Sequence, residues 1–364
     1  MSTGAQRDAA ELRDGVSRWV RSAGDLVPGV AAGGVAPEVM DVSHADAGMA
    51  NETVLVDLGR HHSGIVLRLE SLDPTFPHYD LSTQAVVQNA VAHAGVPAPS
   101  PCLYVPDPAW IGAPFLVMPR VNGFIPGGAP VFDQTITGAS LDRQRLLHDG
   151  FIDALVKIHG VDWATYDLGQ VLGGSSVAAA LDSWDEYVAW AGEGEPLPVL
   201  LDALSWCRRE WRGQDQDDVD GPLPTLLWGD PRLGNLVFDH DGAVHAVLDW
   251  DLAAIGPPEM DLGWYFGLEF MMEQLFDQRV AGFPQKAAAV ERYEERSGHE
   301  VIHLDWHEVF ALTRALAIND RHQRVTAKHK ARLSGGGGAS TSGRNRRTEN
   351  PMIAILAARM QATE

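Results

Sequence analysis

Three side chains in the second half of the sequence, Asp230, Asn235 and Asp249, have the types and spacing for metal-assisted phosphoryl transfer. Asp230 and Asn235 stand five apart in Leu227-Trp228-Gly229-Asp230-Pro231-Arg232-Leu233-Gly234-Asn235, and Asp249 follows Val247-Leu248. A hydroxyl attacking a terminal phosphate needs a carboxylate to orient it and accept its proton, a role open to Asp230. Magnesium takes hard oxygen ligands and keeps several waters. One carboxylate and one amide oxygen, together with phosphate oxygens, therefore suffice, and Asp249 and Asn235 are such a pair.

These groups converge only if the intervening chain forms a hairpin. Leu236 to Phe238 reads as a short apolar strand, Asp239-His240-Asp241-Gly242 as a turn, and Val244 to Leu248 as the returning strand that brings Asp249 beside Asn235. Asp-x-x-x-x-Asn alone also occurs in surface turns, where Asp, Asn and Gly gather for backbone reasons. Two features favour the catalytic reading: the apolar approach Leu223, Leu226, Leu227 and Trp228, and the flanking of Asp249 by Leu248 and Trp250, near buried surface where an unpaired charge is costly.

With 364 residues, 45% of them hydrophobic, the chain can build two lobes sharing a cleft. Its 28 basic and 49 acidic residues give a formal charge of −21. That excess argues against nucleic acid or an anionic membrane as a general partner, since both require a positive face, but not against a nucleotide held locally. Cys102 and Cys207 lie far apart without metal-ligand spacing, as expected for thiols in a reduced compartment. Met1 to Asp14 carries five charged residues and no apolar run of secretory type, and no segment reads as membrane-spanning. The expectation is a soluble cytoplasmic protein; its oligomeric state is not fixed by the sequence.

Along the chain, Ala9, Leu12, Val16, Trp19 and Val20 form a helical stripe weakened by Gly15. Short strands follow at Val54 to Leu58 and Gly64 to Leu69, joined by a turn at Gly59 to Ser63 and preceded by the small-residue stretch Asp46 to Thr53, whose backbone amides could lie over phosphates. Leu81 to Ala94 reads as a helix closed by Gly95, and Phe115 to Met118 as a strand stopped by Pro119. Leu146, Leu147, Phe151, Leu155 and Ile158 predict a helix ending near His159-Gly160. The carboxylates in Asp215 to Asp220 read as a solvated linker. Ser334 to Asn350, with four consecutive glycines and Arg344, Arg346 and Arg347, reads as a loop that could close as a basic lid over an anionic substrate.

The loop and hairpin resemble the catalytic core of the aminoglycoside phosphotransferase and choline kinase group, relatives of the protein kinases, whose loop reads H-G-D-x-x-x-x-N and whose metal segment reads I-D-W-E. Trp228 stands where that family carries His, and Asp251 where it carries Glu. Ala253 to Leu262 also resembles the family, in which the Asp matching Asp261 buttresses the catalytic loop; an N-cap for a helix beginning near Leu262 is the alternative. The resemblance implies phosphate contact by Arg68, adenine contact by backbone groups near Met118 and Arg120, and support of the loop by His159. Gln84 occupies the place of a Glu that pairs with the strand cation, so it can hydrogen-bond Arg68 but brings no charge.

Thus the resemblance implies an α+β, two-lobed protein-kinase-like fold, with a small mixed N-terminal lobe over residues 1–118 and a larger helical lobe over 119–364. The implied reaction moves the terminal phosphate of ATP or GTP to a hydroxyl of a small molecule, with Asp230 as base and Mg2+ held by Asn235 and Asp249. The Trp-Gly-Asp-x-Arg-x-Gly-Asn form and Gly-Pro-Pro-Glu-Met-Asp-Leu-Gly-Trp look closer to the branch fused in some proteins to acyl-CoA dehydrogenases. Two rivals stand beside this reading: a pseudokinase that binds nucleotide without transfer, and a metal-dependent phosphohydrolase.

Overall fold

The structure, a computed structural model, describes residues 6–30, 34–45, 51–59, 64–173, 176–211, 224–333 and 349–363. The chain divides into two compact units: Met1–His93 with Ala98–Asn122 and His322–Gly338, and Ala94–Pro97 with Gly123–Arg321 and Ala339–Glu364.

The first unit is built on a five-stranded sheet of β1 (Val39–His44), β2 (Asn51–Leu58), β3 (Ile65–Glu70), β4 (Leu103–Val105) and β5 (Phe115–Pro119), in the order β1-β2-β3-β5-β4. Every pairing is antiparallel, so the unit is mixed in combining helices with strands, not in strand direction. Alternation gives the sheet two apolar faces. Val54, Val56, Ile65, Leu67, Leu69, Phe115 and Val117 pack with α1 (Ala9–Ala23). Val66, Leu116 and Met118 face α2 (Leu81–His93) through Leu81 and Ala85.

Helix α1 forms where the stripe predicts it, with Leu12, Val16, Trp19 and Val20 buried and the Asp8 carboxylate accepting from the amides of Ala10 and Glu11. Gly15, which reads as a weakness in the sequence, is a packing requirement. A Cβ there would lie 2.0 Å from the Trp110 carbonyl oxygen, so the helix approaches that backbone more closely than any side chain permits.

The second unit is mainly helical. In chain order it comprises α3 (Gln134–Thr137), α4 (Leu141–His159), α5 (Leu168–Leu172), α6 (Val177–Ala191), α7 (Pro198–Glu210), α8 (Glu259–Phe276), α9 (Lys286–Ser297), α10 (Leu304–Leu333, through Arg321) and α11 (Pro351–Thr363). Ser140 caps α4, and of its predicted stripe Leu147, Phe151, Leu155 and Ile158 are buried while Leu146 is exposed. Between α7 and α8 lie two small antiparallel ladders: β6 (Thr225–Leu227) with β9 (Ala254–Gly256), and β7 (Leu236–Phe238) with β8 (Val244–Val247). The second ladder is the predicted hairpin.

Among the described residues, no helix is long and apolar enough to cross a membrane. Residues 46–50 of the small-residue stretch, 60–63 of the first turn, the 215–220 carboxylates and 334–348 of the glycine-rich segment lie outside the described residues.

Gly15→Ala is expected to lower stability by about 1–3 kcal/mol through overpacking, read as a lower urea midpoint at unchanged slope. An unchanged midpoint contradicts this account of α1 packing.

Candidate active site

The loop between β6 and β7 is shaped by one carboxylate that lies outside it. Gly229 adopts φ +89°, and a Cβ there would lie 1.9 Å from the Leu252 carbonyl oxygen, so no other residue fits without displacing the Asp249–Leu252 segment. This bend turns two successive amides toward Asp261 in the first turn of α8. Trp228 N donates to Asp261 Oδ2 at 2.7 Å and Gly229 N to Oδ1 at 2.9 Å. His159, at the end of α4, places Nε2 3.1 Å from Oδ2, and its Nδ1 lies 2.8 Å from the Tyr293 hydroxyl. A carboxylate can only accept, so Nε2 carries the proton to Asp261, and a neutral ring then accepts the Tyr293 O–H.

Asp261 is thus a buttress. The alternative role as N-cap is corrected, because α8 begins at Glu259 with Pro258 in the capping position. His159 supports the loop as the resemblance implies.

Asp230 follows this clamp directly. Its Oδ1 accepts from the Trp264 indole N–H at 2.8 Å, and its Oδ2 accepts from Asn235 Nδ2 at 2.8 Å. Arg232 Nε lies 2.9 Å from the same Oδ2. Asn235 Nδ2 also donates to the Asp230 carbonyl at 3.0 Å. Both amide hydrogens of Asn235 are therefore engaged, which fixes the orientation of the amide and leaves Oδ1 as its end for a hard cation.

Asp249 is tied to this pair through the backbone beside it. Leu248 N donates to the Asn235 carbonyl at 2.9 Å, and the Leu248 carbonyl accepts from the Trp228 indole at 2.8 Å. Asp249 itself adopts φ +64°, a left-handed conformation that Asp tolerates better than most side chains but that still carries strain. Trp228 is fully buried and packs against Phe151 and Trp250. In place of the family's His, its indole links the loop to the segment carrying Asp249.

Arg68, Met118 and Arg120 belong to the other compact unit and are described there. Arg68 pairs in register with Thr53 and Leu116. Burial pushes the Cys102 thiol up to about 12, against the opposing pull of the Arg68 guanidinium. Met118 is buried in β5, with Gln88 Nε2 3.5 Å from its sulfur. Arg120 N donates to the Gly64 carbonyl at 2.8 Å, and its guanidinium meets Asp57 at 2.9 Å. Gln84 is buried in α2, where its Oε1 has no hydrogen-bond partner among the described residues.

Sequence reasoning missed Tyr293 and Arg314, and Trp264 stood in it only as the last residue of the Gly-Pro-Pro-Glu-Met-Asp-Leu-Gly-Trp run, without a role. It quoted Arg232 without giving it a role, although a cation two residues after the presumed base was a signal in itself. Beneath α8, Glu259 accepts from the Ile302 amide at 3.1 Å and lies 2.8 Å from His299 Nε2. Burial tends to raise the Glu259 carboxyl, but hydrogen bonds from His299 and Ile302 outweigh it and hold the group below its ordinary range. The bond to Glu259 in turn raises His299 above the ordinary imidazole value, against the effect of burial.

The family model described as "Phosphotransferase enzyme family" matches residues 41–321. Acyl-CoA dehydrogenase family member 11 of Homo sapiens is 26% identical over 283 residues, covering 75% of this chain and 34% of that protein. The chain thus spans about a third of the length of that curated relative. A solved structure from Ralstonia eutropha, provisionally described as an aminoglycoside phosphotransferase, superposes with a TM-score of 0.68 at 20% identity, covering 96% of this chain and 98% of the other. An ethanolamine kinase from Plasmodium vivax gives 0.51 at 9% identity, covering 88% and 84%. These two likenesses establish the protein-kinase-like α+β fold.

Asp261→Ala is expected to cost about 3–5 kcal/mol, because it strips the shared acceptor from two buried amides and His159. Asp261→Asn should cost less, and equal denaturation midpoints for Asp261→Ala and wild type contradict the buttress. The His299–Glu259 pair gives a signed pH dependence. With its folded pKa raised, His299 contributes stability that is fully present below about pH 6.5 and is lost as pH rises through the folded value. The melting-temperature advantage of wild type over His299→Gln should therefore shrink on going from pH 6 to 9; an advantage that grows with pH contradicts the pairing.

Proposed function

Because the chain belongs to the phosphotransferase enzyme family, we propose that it transfers the terminal phosphate of ATP or GTP to a hydroxyl group of a small molecule, with Asp230 as the base. The observation that carries this reading is the Asp230 carboxylate, held by Trp264 and Asn235 while the Asn235 amide oxygen remains available beside the Asp249 segment.

In this reading Asp230 orients the acceptor hydroxyl and takes its proton as the oxygen attacks phosphorus. Two hydrogen bonds and one ion pair leave the carboxylate with further lone-pair capacity for that proton. Asn235 Oδ1 and the Asp249 carboxylate would hold magnesium, a hard-oxygen pair that fits the ion's preference. The chemistry supplied there would be neutralisation of negative charge on the transferring phosphate. Arg232 brings a positive charge to the base, where it can also meet a terminal phosphate. Arg68 pairs with phosphate oxygens, and backbone groups near Met118 and Arg120 meet the base of the nucleotide. Two buried thiols, Cys102 and Cys207, suit a reduced, cytoplasmic setting.

A nucleotide-binding module without transfer is the second reading, and Gln84 favours it, because a buried amide that brings no charge stands where the resemblance implies a Glu. Magnesium-dependent nucleotide turnover, with a panel of hydroxyl compounds scored by mass spectrometry for an added phosphate, separates the two. Transfer should occur in wild type and fall by about 10²- to 10⁴-fold in Asp230→Ala. Binding without a phosphorylated product in either protein supports the module, and inorganic phosphate released without any acceptor supports a phosphohydrolase. Asn235→Ala and Asp249→Ala should raise the magnesium concentration needed for half-maximal turnover; an unchanged requirement removes them as ligands.

A further inference from the structure

The Asp230 carboxylate accepts two hydrogen bonds, one from Asn235 of its own loop and one from α8, the indole of Trp264, and pairs electrostatically with Arg232. The side chain behind that indole is unusual. Arg314 of α10 is buried, with its guanidinium carbon 4.6 Å from the Trp264 ring centre, 5.0 Å from that of Trp184 on α6 and 5.7 Å from that of Phe310. Its Nη2 reaches the Gly229 carbonyl at 3.4 Å, and its Nε has no hydrogen-bond partner among the described residues.

A cation held this way is a poor means of stabilising a fold. Enclosure of a guanidinium costs several kcal/mol, on the order of what its partners return, and an apolar side chain of similar volume often serves stability as well or better. Burial pulls Arg314 down to about 10, against the pull of Asp261 and Asp230, so it stays charged at neutral pH. A charge on the face of an indole withdraws electron density from the ring and strengthens its N–H as a donor. Here that N–H is bonded to the carboxylate that the proposed reaction uses. The same guanidinium also reaches the carbonyl of Gly229, the residue immediately before Asp230, so it is linked to the base by two indirect routes and does not contact it.

We propose that Trp264 is a positioning residue for Asp230 and that Arg314, stacked on Trp264, acts through it. The indole is a donor only and carries no titratable proton in the working pH range. It can fix the rotation of the carboxylate without competing for the proton that the carboxylate must accept. With Oδ1 pinned by Trp264 and Oδ2 by Asn235, the plane of the carboxylate is set before any substrate arrives. Reaction rates fall steeply when a base is misplaced by even an ångström.

This inference rests on the phosphotransferase reading, and its test separates the two. The full chain with nitrogen-15 in its 11 tryptophan indoles is observed by NMR without added nucleotide, the Trp264 resonance being assigned by through-bond correlation. Asp230→Ala and Arg314→Met are each expected to move the Trp264 indole proton upfield. In parallel, Trp264→Phe, which keeps an aromatic ring and deletes the donor, and Arg314→Lys are assayed for MgATP turnover and melting temperature. Both should lower kcat by about 10- to 100-fold while the KM for MgATP stays within about twofold of wild type. A residue that merely packs would lower the melting temperature and leave the turnover of folded protein intact. A Trp264→Phe protein with wild-type kcat, or a Trp264 resonance indifferent to Asp230→Ala, overturns the proposal. If Trp264→Phe fails to fold, Arg314→Lys and the indole shift decide. A wild type that turns over no nucleotide but shows the coupled indole counts against the phosphotransferase reading and leaves the positioning contact standing.

Discussion

The Asp261 carboxylate is the constraint on which the loop between β6 and β7 depends. A loop that bends at Gly229 exposes two adjacent amides with no strand partner, and burying them unpaired would cost a few kcal/mol. Asp261 accepts from both, and His159, backed by Tyr293, satisfies it from the opposite side. Each of the three supports comes from a different helix, α8, α4 and α9. The loop conformation is thereby a property of the helical packing, and the helices cannot shift independently of it.

From that anchor the rest of the site follows by short steps. Trp228, held at its amide by Asp261, uses its indole to fix the Leu248 carbonyl, while Leu248 N meets Asn235. The hairpin and the loop are therefore locked before Asp249 takes its left-handed conformation. Arg314 extends the same logic to Asp230 itself, because it reaches the Gly229 carbonyl and the face of the indole that holds the Asp230 carboxylate. Two tryptophans thus hold the two functional segments, one by each kind of link. Trp228, which stands where the resemblance implies a His, ties the loop to the hairpin through one directed indole N–H.

Elements with strong local patterning were legible in the sequence. The stripes of α1 and α4, the apolar runs of β2, β3 and β5, and the β7–β8 hairpin all have short-range periodicity or turn chemistry that burial merely ratifies. The pairing of Asp230 with Asn235 was legible for the same reason, since five residues of turn-rich chain bring them together. What was not legible depends on tertiary approach. Trp264 meets Asp230 across 34 positions and Arg314 meets Gly229 across 85, and no local pattern marks either. Gly15 shows the same limit from the other side: as a helix residue it looks like a defect, and only the Trp110 carbonyl explains it. The role of Asp261 stood open between a cap and a buttress because local spacing allows both, and the position of the helix start decided it.

The proposed function gives Asp230 and Asn235 separate, preset roles, as base and as metal ligand. It is tested most directly by a crystal structure of the protein with manganese and a non-hydrolysable ATP analogue. The account predicts Asn235 Oδ1 and the Asp249 carboxylate within coordination distance of the metal, with Asp230 still bonded to Trp264 and Asn235 and facing the terminal phosphate. A metal bound by Asp230, or a nucleotide seated away from this loop, would contradict it.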